Sequence, residues 1–99
     1  MAKRRRKTKR RAFRGTPEEH RAKASEFYDE AKRRAGNAVA SAAAGSCRDA
    51  FEELVWTERN MGRAASEVDH AATHPANAVR AHEAASSAYL KVLDRCVVK

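Results

Sequence analysis

The sequence predicts an all-α fold, a helical hairpin or three-helix bundle with a disordered basic N-terminal arm. Three observations lead there. Apolar residues recur in alternating steps of three and four along three separate stretches, which is the spacing of one helical face. No stretch alternates with period two over a useful length, so strands are not expected. The charge is also sharply divided. Residues 1–14 hold nine Lys or Arg and no acid, while residues 15–99 hold the other 12 basic and all 13 acidic residues. With 99 residues there is room for one small domain, here an arm at 1–15 followed by a helical domain at 16–99.

The arm carries Lys3, Arg4, Arg5, Arg6, Lys7, Lys9, Arg10, Arg11 and Arg14. Such a run repels itself and has almost nothing to bury, so it is expected to stay disordered until it meets a polyanion. No apolar segment follows it, which argues against a secretory signal. Its Arg-rich, acid-poor composition is shared with transit peptides, but its charges are contiguous rather than spread around an amphipathic helix.

Gly15-Thr16-Pro17-Glu18-Glu19 ends the arm and opens a helix. Thr16 can cap, Pro17 suits the first helical position, and Glu19 completes a capping box. Ala24, Tyr28, Ala31, Ala35, Ala38 and Ala42 then form one stripe, with Phe27 beside it. The stripe keeps phase across Gly36-Asn37, so a single helix is expected at about 17–44. Gly45-Ser46 punctuates the chain, and Ser46 with Asp49 gives a weaker capping signal. A second stripe follows: Cys47, Phe51, Leu54, Glu58, Met61, Ala65, Val68 and Ala72, with Glu58 out of character. It places a helix at about 46–72. Thr73-His74-Pro75 ends that helix, and Pro75 can begin a third at about 75–97, with Val79, Glu83, Ser86, Leu90, Leu93 and Val97 on its stripe.

Short loops make neighbouring helices antiparallel. A second turn centred near residue 74 puts Phe51 beside Val97 and Val55 beside Leu93, and a first turn at Gly45 puts Tyr28 over Gly62. Cys96 then lies about five residues from the level of Cys47, roughly 7–8 Å along the axis. A disulfide is conceivable at that offset but not required. With two cysteines and no signal sequence, reduced thiols in an intracellular setting are the expectation. The core is expected to be thin, because 22 residues are alanine and bury little area each. A body this small is then expected to self-associate or to order within a larger assembly.

The arm is the main candidate site. Each Lys or Arg can neutralise one phosphate and release counterions, Arg can fork onto phosphate oxygens, and Phe13 could stack on an unpaired base. Rival readings are a nuclear-localisation signal, an anionic-membrane anchor and a solubilising tail. A membrane anchor would pair the cluster with apolar residues or lipid, and no membrane partner is expected. Lys32, Arg33 and Arg34 form a possible secondary basic patch, read first as a solvated face paired with Glu26, Asp29 and Glu30. Trp56 shares a face with Glu52, Arg59 and Arg63. It is read as a packing or self-association contact, with base stacking as the lesser use. His70 and His74 have a metal-binding spacing, with Asp69 and His82 near, but His74 sits at the Pro75 break. A polar helix end is the reading adopted, with no metal and no cofactor. No nucleophile is paired with a base, no glycine-rich phosphate loop occurs, and catalysis is not expected.

The stretch AAAGSCRDAFEELVWTE resembles the helix–turn–helix join of a tetratricopeptide repeat, with Gly45, Ala50 and Leu54 at its small, small and large positions. No recurrence at roughly 34 residues accompanies it, so this likeness implies a helical hairpin. The wider layout, a basic arm, then GSCRDAFEEL, then a short third helix, is similar to small uncharacterised proteins of single-stranded DNA phages. Gly45, Cys47, Ala50 and Phe51 carry that likeness. It implies a virion or genome-associated role with Lys3 to Arg14 on nucleic acid. The function expected from the residues is non-sequence-specific nucleic-acid binding by the arm of a self-associating helical body. Such a protein would be found with nucleic acid in cytoplasm, nucleoid, nucleus or virion. The alternative is a structural protein whose body docks on a capsid or other complex.

Overall fold

The computed structural model describes residues 15–97. The arm residues Lys3 to Arg14, Phe13 among them, and residues 98–99 lie outside the described residues. Three helices follow one another: α1 (Pro17–Ala43), α2 (Cys47–Ala71) and α3 (Ala78–Cys96). They run up, down and up, as an all-α three-helix bundle.

The start of α1 follows from its capping box. Glu19 N–H donates to Thr16 Oγ1 at 3.1 Å, and Thr16 N–H donates back to Glu19 Oε1 at 2.7 Å. Pro17 occupies the first turn, where its missing N–H would have had no partner. The helix passes through Gly36-Asn37 without a break and stops at Gly45, whose φ of +89° favours glycine. Ser46 caps α2 by position, without a side-chain hydrogen bond.

The six-residue stripe read for α1 is buried in full: Ala24, Tyr28, Ala31, Ala35, Ala38 and Ala42, extended backwards by His20. The other two stripes are corrected. In α2 the buried residues are Ala50, Leu54, Thr57, Asn60, Ala64 and Ala71, whereas Phe51, Glu58, Ala65 and Ala72 are exposed. In α3 the buried residues are Ala78, Ala81, Ala88 and Val92, whereas Val79, Leu90, Leu93 and Val97 are exposed. In each case the inward face contains a small-residue seam. Ala50, Thr57, Ala64 and Ala71 recur every seven residues, matching the spacing of Ala24, Ala31 and Ala38 on α1. Small side chains facing one another let helices approach toward the short end of the roughly 8–10 Å range. A large side chain in that seam would force them apart. The polar members of the α2 seam satisfy themselves within their own helix. Thr57 Oγ1 donates to the Glu53 carbonyl at 2.8 Å and Asn60 Nδ2 to the Trp56 carbonyl at 2.9 Å.

The rotation of α2 also removes the expected contact of Tyr28 with Gly62. A Cβ added at Gly62 would meet nothing within 4 Å. Tyr28 packs instead with Ala24, Ala64, Ala78 and Ala81.

The second turn differs from expectation as well. Pro75 begins a turn rather than α3, and its carbonyl accepts from Ala78 N–H at 3.1 Å. Asn77 is the residue that seats the turn, because its Nδ2 donates to the Ser25 carbonyl at 2.9 Å and to Asp29 Oδ1 at 2.8 Å. Before it, Ala72 ends α2 at φ +66°, with its N–H on the Val68 carbonyl at 2.8 Å. α3 is six residues shorter than α2 (19 against 25), and the 72–77 turn runs back along the bundle so that Ala78 joins the cluster around Ala64 and Tyr28, which closes the five-residue offset between the cysteines. Cys47 and Cys96 form a disulfide, with Cα atoms 5.6 Å apart. The expectation of reduced thiols is therefore corrected. Geometry decides it: the first residue of α2 and the last of α3 arrive side by side.

Eleven of the fourteen buried apolar residues are alanine, so hydrophobic burial alone holds this bundle weakly. The disulfide closes a loop of 49 residues and is expected to supply about 2–4 kcal/mol of stability. The double substitution Cys47→Ser/Cys96→Ser should show that loss in urea denaturation, with native helicity retained in the absence of urea. Ala72→Gly should act the other way, raising stability by about 1 kcal/mol, since glycine adopts the left-handed conformation without the Cβ penalty. The same titration checks it.

Candidate nucleic-acid interface and the histidine end of the bundle

The arm joins the body at Gly15, whose φ is +132° and whose added Cβ would stand 3.2 Å from His20 Nε2. Glycine is needed there both for the backbone conformation and for this approach. The root of the arm thus rests on one end of the bundle, where α1 begins, α2 ends and α3 begins.

That end gathers the four histidines. His20 is buried, and its Nδ1 donates to Glu67 Oε1 at 2.7 Å. Its ring lies 5.0 Å from that of His70. The Tyr28 hydroxyl meets His74 Nδ1 at 2.9 Å, and the Tyr28 ring is 5.8 Å from that of His82. Arg21 donates to Thr73 Oγ1 at 2.8 Å. Every one of these contacts joins two helices, or a helix and the 72–77 turn, so the group acts as a polar clasp. The reading of His70 and His74 as a polar helix end is extended by His20, Glu67 and Tyr28, which sequence reasoning did not assign to it. One signal was present, since His20 sits one step of four before Ala24 on the α1 stripe. Among the described residues no group of three or more His, Cys, Asp or Glu is placed to hold a metal ion.

Of the Lys32-Arg33-Arg34 run, Arg33 and Arg34 are drawn into ion pairs on the body. Glu30 accepts from Arg33 Nε at 3.1 Å and from Arg34 Nε at 2.9 Å. Arg34 also reaches across to Glu53 on α2 at 3.2 Å. These bonds from Arg33 and Arg34 hold the Glu30 carboxyl below the usual carboxylate range. Bonds from the Thr16 backbone and side chain do the same for Glu19. Both sites are open to water, where such pairs add little stability. Asp29, expected beside this run, is engaged by Asn77 instead.

Trp56 lies at the outer seam of α1 and α2, partly exposed, with the Arg34 guanidinium 5.4 Å and the Arg59 guanidinium 5.2 Å from its ring centre. Arg59 was legible as a neighbour on the same helix face. Arg34 comes from α1 and was not. Seven residues from each member, Arg63 stands 6.0 Å over Phe27, so two cation–aromatic contacts two helical turns apart clip α1 to α2.

No helix of the described residues is long and apolar enough to cross a membrane. Comparison with known proteins finds no matching family model, curated relative or solved structure.

Burial raises the Tyr28 hydroxyl above its ordinary value of 10.0. Burial, followed by the nearby Glu58 charge and its hydrogen bond, does the same for Tyr89. A pKa raised by folding contributes stability that is complete below the unfolded value and is lost as pH rises through the folded one. The thermal midpoint should therefore fall as pH passes upward through about 10, the free tyrosine range. Tyr28→Phe, which forfeits the His74 bond, should be about 1 kcal/mol less stable at pH 7 and should show a shallower alkaline decline. Circular dichroism melts from pH 7 to 11 compare the two.

Proposed function

We propose that this protein binds nucleic acid without sequence specificity, through Lys3 to Arg14, and that the helical body sets the spacing and number of arms by self-association. The observation that carries this reading is the charge division. Nine cations stand in residues 1–14, and the remainder of the chain has one more acid than base. In the one basic run of the body, Arg33 and Arg34 are already on Glu30 and Glu53. Phosphate contacts carry no base information, which fits an arm made almost wholly of Lys and Arg with Phe13 as its single aromatic.

The alternative is a structural assembly protein whose body docks on a capsid or other complex, with the arm on packaged genome. One observation favours it. The Cys47–Cys96 disulfide belongs to oxidising settings, among them virion surfaces, more than to reducing cytosol. The likeness to small proteins of single-stranded DNA phages points the same way.

A salt-titrated binding assay on single-stranded DNA, duplex DNA and RNA tests the main reading. The slope of log K against log[salt] is expected to be several units, bounded near roughly 0.9 per phosphate contact on duplex DNA. Deleting residues 1–14 should abolish binding and leave helicity unchanged. Equal binding by the truncated body would sink the proposal. Failure of the intact arm to bind any of the three polymers at low salt would instead favour a targeting role for it.

A further inference from the structure

We infer that the cleft between α2 and α3 is the surface on which two copies of this chain associate. This rests on the self-association in the proposed function and assigns it a face.

The cleft has a volume of about 390 Å³ and is lined by Phe51, Leu54, Val55, Tyr89 and Leu93, with Glu58 and Arg59 at its rim. Leu54 forms the floor and is buried. The walls are open to water: Phe51 is 41% exposed, Val55 49% and Leu93 43%, and Leu90 beyond them is 71% exposed. The cleft is held in shape from both ends. The Cys47–Cys96 disulfide joins the helices at one end, and the turn seated by Asn77 joins them at the other.

The outer face of α3 has its own periodicity. Val79, Glu83, Ser86, Leu90, Leu93 and Val97 follow steps of four and three without interruption. That is the 3.5-residue repeat by which helices pair along a seam. The inner face of α3 is already taken by its alanines against the bundle, so the heptad face is left for another helix.

A second copy is the occupant that fits. The arm of this chain, with nine cations, is the wrong chemistry for apolar walls, and a phosphate backbone would meet Glu58 and no cation but Arg59. The rim, in contrast, complements itself. Glu58 and Arg59 are adjacent and opposite in sign, so a two-fold axis passing between them lets each Arg59, which lies over Trp56 in the single chain, meet the Glu58 of the other copy. The area also suffices. α3 has 19 residues and is about 28 Å long. Paired with α2 at roughly 8–10 Å spacing, it presents a footprint on the order of 28 by 20 Å. Two such faces total about 1,100 Å², above the roughly 1,000 Å² that a stable interface requires. Association here leaves α1 and the arm root uncovered, so both arms of a dimer remain available to one polyanion.

Sedimentation equilibrium of the nucleic-acid-free full chain in about 0.15 M salt, where rim charges are not fully screened, at about 5 to 200 µM, is the test. The wild type is expected at twice the chain mass. Leu90→Glu/Leu93→Glu should halve that mass with circular dichroism unchanged. Glu58→Arg should weaken the dimer at least about tenfold, and Glu58→Arg/Arg59→Glu should restore it. Should the leucine variant fail to fold, Val55→Ser serves in its place with the same expected loss. A wild type that stays monomeric throughout, or a folded Leu90→Glu/Leu93→Glu variant that stays dimeric, overturns the inference. Nucleic-acid binding is read separately. A dimer whose arms do not bind leaves this inference standing and removes the nucleic-acid part of the proposed function, and a monomer whose arm binds overturns this inference and the self-association while keeping the nucleic-acid part.

Discussion

The alanine stripe of α1 is the constraint on which the rest of the bundle depends. Ala24, Ala31, Ala35, Ala38 and Ala42 are almost wholly removed from water, and each projects a single methyl group. A helix surfaced this way draws neighbours closest where they too present mostly small groups. α2 meets it with Ala50, Thr57, Ala64 and Ala71, and α3 with Ala78, Ala81 and Ala88. Both outer helices therefore spend their small faces on α1. Apart from Leu54 and Val92, which enter the core, most of their large apolar side chains are left outside, and the α2–α3 cleft follows from that choice.

A core of methyl groups gains little from water exclusion, although alanine also loses no side-chain entropy on burial. The protein adds fasteners where burial is weak. The disulfide ties α2 to α3 at one end. At the other, His20 with Glu67, Tyr28 with His74, and Asn77 with Ser25 and Asp29 tie all three helices. Between them, Arg34 on Trp56 and Arg63 on Phe27 close the α1–α2 seam from outside. Each is a directional contact that fixes register, a role that a uniform stripe of alanines performs poorly.

The candidate site divides along similar lines. The arm was legible because its chemistry is compositional. Nine cations without an acid can be counted whatever the body does, and the proposed polyanion binding rests on that count alone. The pairing of Glu30 with Arg33 and Arg34 was legible because residues three and four apart on a helix are neighbours. The histidine end was not, because His20, His70, His74 and His82 are dispersed over 63 positions of sequence and meet only when three helix ends converge. Arg34 over Trp56 was hidden for the same reason. The register of α2 against α3 turned on where the second turn stops, and Asn77 decides that through contacts with α1 that no local pattern contains.

The sequence by itself determined the helix count, the capped start at Thr16, and the buried face of α1, which has one apolar stripe to bury. Tertiary structure decided which faces of α2 and α3 turn inward. Each of those helices carries two seams about one residue, or 100°, apart, one of large apolar groups and one of small. Read alone, either helix favours burying the larger groups, since more area leaves water. Packed against methyl groups, the smaller seam wins, because close approach brings more backbone and side-chain atoms into contact and a full row of large side chains would hold the helices apart, whereas Leu54 and Val92 are accommodated singly. The cysteines followed that rotation and register. Their pairing was a property of the assembled bundle, not of their spacing.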